Sequence, residues 1–154
     1  DDVIVLASGK GGIEAHPGAV RFKMWRESLD ALGLSPGRQV GDRVEKFYVD
    51  PPGPIESAPS RLGAVVELRR AAETDSIAIE RIPQLAAIDL VSAHTYRAEW
   101  IALMGARERH FEQCATVASH VPVWRLARPD GLNRLGPTCR WLTENWPMLV
   151  EPVR

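Results

Sequence analysis

The sequence predicts an α/β fold, a mixed sheet with helices packed on it, and three observations predict it. Short β-branched runs mark the first half, the clearest being Leu62-Gly63-Ala64-Val65-Val66-Glu67-Leu68. Apolar residues at helical spacing mark the second half, where Leu132, Leu135, Cys139, Leu142 and Trp146 recur at intervals of 3, 4, 3 and 4. Strands thus come first and helices cluster late, an order that suits a mixed sheet better than a regularly alternating barrel.

Each element has its own local reason. Val3-Ile4-Val5-Leu6 is a β-branched run stopped by Ser8-Gly9-Lys10-Gly11-Gly12, so a strand over 3–7 and a tight turn are expected. Residues 13–16 return as a second strand before Pro17-Gly18. Residues 20–25 alternate apolar and basic side chains, as a half-exposed or edge strand does. A helix follows over 26–32, with Trp25, Leu29 and Leu32 on one face and Gly33 at the left-handed position after its end. Residues 33–43 read as loop and 46–49 as strand. Asp50-Pro51-Pro52-Gly53-Pro54 breaks regular structure, because proline lacks the amide donor and restricts its predecessor.

In the second half, residues 62–68 read as a buried strand, paired across a 69–76 turn with the alternating strand 77–82. Pro83 fits the first turn of a helix running to about His94. A second helix spans 97–120 with a break at Gly105, and a last strand covers 121–126. Pro137 stands in the first turn of the final helix. The strands at 3–7, 62–68, 77–82 and 121–126 are expected in one sheet.

Composition bounds the function classes. The chain has 154 residues, so one domain over 1–154 is expected. Nineteen Lys and Arg face twenty Asp and Glu, which excludes a strongly basic nucleic-acid platform and an acidic tail. No apolar stretch is long enough to span a membrane. Two cysteines, Cys114 and Cys139, are too few for a disulfide scaffold, and reduced thiols in a cytoplasmic protein are expected. The chain starts at Asp1-Asp2 rather than methionine, and a missing upstream segment is the expectation.

Several motifs bear on chemistry. Ser8-Gly9-Lys10-Gly11-Gly12 has no glycine five residues before Gly9 and no Ser or Thr after Lys10, so it is a hairpin turn rather than a phosphate loop. His110 and Cys114 stand four apart on a helix, but no second ligand pair completes a zinc site; Cys114 is expected in the core and His110 hydrogen-bonded or exposed. Asp1-Asp2 ahead of an apolar strand can divide labour, one carboxylate polarising a hydroxyl and the other holding Mg²⁺; a solvated terminus has the same sequence. His94-Thr95-Tyr96-Arg97 gathers four polar-tipped side chains at a helix junction. That junction lines a substrate site, or it caps the helix with Tyr96 packed inward and Arg97 paired with Glu99 or another exposed acid.

The order of these pieces resembles HPr kinase/phosphorylase-like proteins. Asp1-Asp2-Val3-Ile4-Val5-Leu6, His16-Pro17-Gly18 before Arg21-Phe22-Lys23-Met24-Trp25, and Ser28-Leu29-Asp30-Ala31-Leu32-Gly33-Leu34 carry the likeness. Glu45-Lys46-Phe47, Ala64-Val65-Val66-Glu67-Leu68, His94-Thr95-Tyr96-Arg97, His110-Phe111-Glu112-Gln113-Cys114-Ala115 and Val121-Pro122-Val123-Trp124-Arg125-Leu126 continue it over nearly the whole chain. The resemblance is closer to the bacterial HPr-kinase-like branch, including members found with peptide-modification systems, than to the sugar-regulation enzyme.

The resemblance implies the C-terminal portion of a P-loop serine kinase using ATP and Mg²⁺, with a protein or peptide serine as acceptor and a homo-oligomeric assembly. Asp1 would be the base, Asp2 and Glu14 the metal ligands, and His94, Tyr96 and Arg97 candidate substrate contacts. Around Glu14 the family's Arg-Gly pair is replaced by His16-Pro17. The family's phosphate loop would precede residue 1, so the chain alone is not expected to be a competent kinase. The alternative is a non-catalytic binding or regulatory module on a degenerate kinase fold.

Overall fold

The computed structural model describes residues 3–18, 21–50, 53–54, 57–71 and 76–150, and the chain divides into two compact units. One comprises Asp1–Gly9 with Glu14–Ser60, the other Lys10–Ile13 with Arg61–Arg154. Asp1 and Asp2 lie outside the described residues.

The chain opens with a hairpin of β1 (Val5–Gly9) and β2 (Gly12–His16). Gly12, at φ +124°, adopts a backbone that side-chain-bearing residues avoid, which lets Lys10-Gly11 reverse the chain. The first unit then builds an antiparallel sheet of order β3 (Phe22–Trp25), β5 (Val44–Val49), β4 (Gln39–Gly41), with α1 (Arg26–Leu32) entering directly from β3.

Helix α1 has the predicted limits. Gly33 at φ +64° donates to the Asp30 carbonyl and Leu34 donates to the Leu29 carbonyl, a Schellman end. Of the predicted apolar face only Leu29 is fully buried, while Trp25 and Leu32 are exposed. Exposed Trp25 instead lies under Lys46, and Phe47 lies 4.3 Å under the Arg26 guanidinium. The expected 33–43 loop contains β4, because Asp42-Arg43 is a tight turn that folds Gln39–Gly41 back onto β5, with the Gln39 amide donating to the Val44 carbonyl.

The two-residue strand β6 (Ser60–Arg61) pairs with β2, giving a sheet of order β1-β2-β6. The second unit's own sheet has order β7 (Val65–Ala71), β9 (Val123–Pro129), β8 (Ala78–Arg81). It is mixed as predicted, since β7 runs parallel and β8 antiparallel to β9.

Two expectations are corrected here. Residues 3–7 do not join this sheet, because β1 is held by its hairpin to β2. Strand β8 also does not pair with β7, because β9 inserts between them and takes the central position. Strand β7 begins at Val65 rather than residue 62. A side chain at Gly63 would collide with Val150 and touch Trp146, so Gly63 serves as a close-packing point ahead of the ladder.

Helices α2 (Gln84–Ala93), α3 (Glu99–Leu103) and α4 (Arg107–His120) follow. Gly105 at φ +64° separates α3 from α4, the predicted break. Ala87, Ile88 and Leu90 of α2 and Cys114 and Ala118 of α4 bury one face of the sheet through Val123 and Ile82, with Val65 alongside. The last helix, α5 (Leu135–Leu149), follows a short 3₁₀ turn over Leu132–Arg134. The Trp124 indole on the opposite sheet face donates to the Leu149 carbonyl at 2.9 Å, and Leu126 and Leu149 are fully buried.

The predicted apolar stripe is not the buried face of α5: Cys139 and Trp146 are exposed, while Thr138 is buried with its hydroxyl donating to the Arg134 carbonyl. No helix among the described residues is long and apolar enough to cross a membrane.

Candidate functional site

Two groups of chemistry-bearing residues emerge, one in each unit. In the first unit, Glu14 and His16 project from the same face of β2, two residues apart. Glu14 Oε2 lies 3.8 Å from His16 Nε2, and both side chains are partly exposed. His16 Nε2 itself is buried and has no hydrogen-bond partner. The Glu14 carboxylate lies over Gly9 of β1; a Cβ at residue 9 would overlap Glu14 Oε1 and make that flexible side chain swing aside. At the other end of the hairpin, Gly18 comes against the Val3 carbonyl so closely that no side chain fits. The His16-Pro17-Gly18 segment is thereby fixed beside Val3, the residue that follows Asp1-Asp2 in sequence.

Mg²⁺ typically takes one or two protein carboxylates and fills its remaining positions with waters and phosphate oxygens. Glu14, a partly exposed carboxylate, matches that demand for one ligand only. Among the described residues no three His, Cys, Asp or Glu side chains converge on one point.

In the second unit a charged row crosses the sheet. The ladder sets Glu67 of β7 opposite Arg125 of β9, and Arg125 opposite Glu80 of β8, all on the face that Val65 and Val123 use for the core. Arg125 Nε donates to Glu67 Oε2 at 2.6 Å and its Nη1 donates to Glu80 Oε1 at 2.8 Å. Arg69, two residues along β7, reaches Glu67 Oε1 at 2.6 Å. Burial alone would push the Glu67 carboxyl up, but hydrogen bonds and charge from Arg125 and Arg69 outweigh it and hold the pKa near about 2. Glu67 and Glu80 reciprocally raise the Arg125 pKa. The carboxylate is thus permanently charged, nearly buried and fully engaged, so it orients neighbours rather than exchanging protons near neutral pH.

The helix junction reads onto this row. His94, at the C-terminal end of α2, places Nε2 3.6 Å from Glu67 Oε1. Thr95 donates its hydroxyl to the Val91 carbonyl and stands 2.9 Å from His110 Nε2 on α4. His110 Nε2 lies 3.5 Å from Cys114 Sγ, so the expected core cysteine and hydrogen-bonded histidine are both found. Burial raises the Cys114 thiol pKa, which keeps it unreactive.

Tyr96 and Arg97 depart from the capping account. Tyr96 is exposed rather than packed inward, and Arg97 Nε donates to its hydroxyl at 3.0 Å. The guanidinium lies 4.9 Å from the Trp100 ring, and Arg97 holds φ +52°, uncommon for a residue other than glycine. His94 therefore joins the charged row, while Tyr96 and Arg97 form a separate exposed cluster with Trp100.

The row itself was missed in the sequence. Its signal was an acid inside the apolar run Leu62–Leu68 on the same parity as core-facing Val65, matched by Arg125 inside the last strand. Comparison with protein-family models, with curated proteins and with solved structures finds no match.

Proposed function

We propose that this chain is a portion of an HPr-kinase-like serine kinase, transferring the γ-phosphoryl group of ATP to a protein or peptide serine in the cytoplasm. The observation that carries the reading is the β1–β2 hairpin. It returns Glu14, His16 and the His-Pro-Gly segment alongside the strand that follows Asp1-Asp2, which supports the reading. Asp1 takes the proton from the acceptor hydroxyl as that oxygen attacks phosphorus, which a positioned carboxylate accelerates by about 10²–10⁴-fold. Asp2 and Glu14 would be the residues to hold Mg²⁺, which when bound would supply positive charge to offset that on the transferring phosphoryl group. Glu14 stands opposite Gly9, with His16 Nε2 3.8 Å from its carboxylate.

Residues 1–154 contain no Gly-x-x-x-x-Gly-Lys-Ser/Thr sequence, and Lys10-Gly11 forms a hairpin turn, so this reading requires a phosphate cradle from outside these residues. The test uses the longer protein that carries such a loop. Asp1→Asn should abolish serine phosphorylation while nucleotide still binds, and Asp2→Asn should be partly rescued by raised magnesium. Transfer at the parental rate by the Asp1→Asn/Asp2→Asn double variant refutes the reading. The hairpin at Lys10 also supports the second reading, a non-catalytic module; a start codon or signal sequence encoded directly ahead of Asp1 would favour it.

A further inference from the structure

Along the first half of α5 runs a groove of about 340 Å³ that none of the chemistry above uses. Its walls are apolar and largely rigid: Ile77 just before β8, Pro129 at the end of β9, and Pro137 and Trp141 one helical turn apart on α5. Two prolines and an indole offer flat surfaces of the kind that planar rings occupy. Its polar lining is unequal in charge, with Arg134 and Arg140 against Glu144. Arg140 makes no ion pair or hydrogen bond among the described residues, so its guanidinium is available to an incoming anion. Thr138, nearly buried in the groove lining, has its hydroxyl proton committed to the Arg134 carbonyl, one helical turn back.

We propose that this groove binds a small planar aromatic molecule carrying a phosphate or carboxylate. The ring lies against Trp141 between Pro129 and Pro137, and the anionic group meets Arg140, with Arg134 adding positive potential. Both halves of the ligand are required. A ring alone leaves Arg140 unpaired, and an anion alone gains one solvent-exposed contact, which is worth little in water. The proposal stands independently of the kinase reading.

The test follows the indole N–H resonance of Trp141 in the ¹⁵N-labelled chain, assigned with Trp141→Phe, during titration with phenyl phosphate, benzoate, inorganic phosphate and benzyl alcohol. Phenyl phosphate or benzoate should shift that resonance saturably, with half-saturation on the order of 1 mM for ligands this small. Inorganic phosphate and benzyl alcohol should each bind at least about tenfold more weakly. Arg140→Gln, at an exposed position, should weaken the aromatic anions by about tenfold without changing the melting curve, and Glu144→Gln should tighten them. Absence of a saturable shift overturns the proposal, as does unchanged affinity in Arg140→Gln. Equal binding of benzyl alcohol overturns the anionic requirement, and equal binding of inorganic phosphate overturns the aromatic one.

Discussion

Replacing Glu67 by glutamine keeps the shape of the side chain and removes the charge on which three neighbours converge. In the parent, Glu67 accepts from Arg125 and Arg69 at 2.6 Å each and has His94 Nε2 at 3.6 Å. Breaking a fully buried ion pair costs about 3–5 kcal/mol, whereas an exposed pair is worth at most about 1 kcal/mol. Glu67 is nearly buried, but the Arg69 side chain is 60% exposed and that of Arg125 37%, so solvent screens both partners and Glu80 still holds Arg125. An intermediate loss of about 2 kcal/mol follows for Glu67→Gln at pH 7.

The pH dependence separates lost charge from lost packing. A carboxyl whose folded pKa is lowered to about 2 from 4.5 stabilises the fold fully above the unfolded pKa. That contribution drains away as pH falls from about 4.5 towards about 2, because the unfolded state takes up the proton first. Urea unfolding followed by tryptophan fluorescence should therefore give a parent curve that loses more stability than Glu67→Gln between pH 5 and pH 2, with the two converging at the acid end. A loss below about 0.5 kcal/mol at pH 7, or parallel curves across that window, would refute the assignment of Glu67 as a charged pin.

Three further outcomes are open to direct measurement. Leu126→Ala, at a fully buried position on the central strand, should cost about 3 kcal/mol and show as a lowered urea midpoint. Gly33→Ala should cost about 1 kcal/mol through backbone strain alone, since φ is +64° there and a methyl group would meet nothing. Iodoacetamide should label exposed Cys139 rapidly in the native protein and Cys114 only on unfolding, read by mass spectrometry of the two peptides.

What was legible in the sequence was local. Helix α1 and the α3–α4 break follow from Gly33 and Gly105, whose left-handed conformations are signalled by residue type alone. The hairpin at Lys10-Gly11 was legible for the same reason. Strand order was not, because period-two alternation fixes which face a residue uses but not which strand lies beside it. The insertion of β9 between β7 and β8 depends on how α2 and α4 cover Val65, Ile82 and Val123, a contact among residues up to 58 positions apart. The apolar stripe of α5 misled for a related reason: a threonine can be buried when its hydroxyl reaches the preceding turn, as Thr138 does, and spacing does not register that.

The charged row and the helix junction have one physical origin. Helices α2 and α4 cover the sheet at the level of Val65, Val123 and Ile82. Two residues further along β7 and β9, on the same face, α2 has reached its end at His94. Side chains at that level must be compatible with water on one side and the core on the other. Glu67, Arg125 and Glu80 achieve this by satisfying one another across adjacent strands, which apolar residues there would do only by exposing a patch. The same carboxylate gives His94 a partner, while Thr95 ties the next residue to His110 on α4. With residues 94 and 95 anchored to the sheet and to α4, the chain must turn away to begin α3 at Glu99, and Arg97 takes the left-handed conformation that makes the turn. Tyr96 and Arg97 are exposed because their neighbours are held, and their own contact, Arg97 against the Tyr96 hydroxyl and the Trp100 ring, fixes a guanidinium at the crest of the junction.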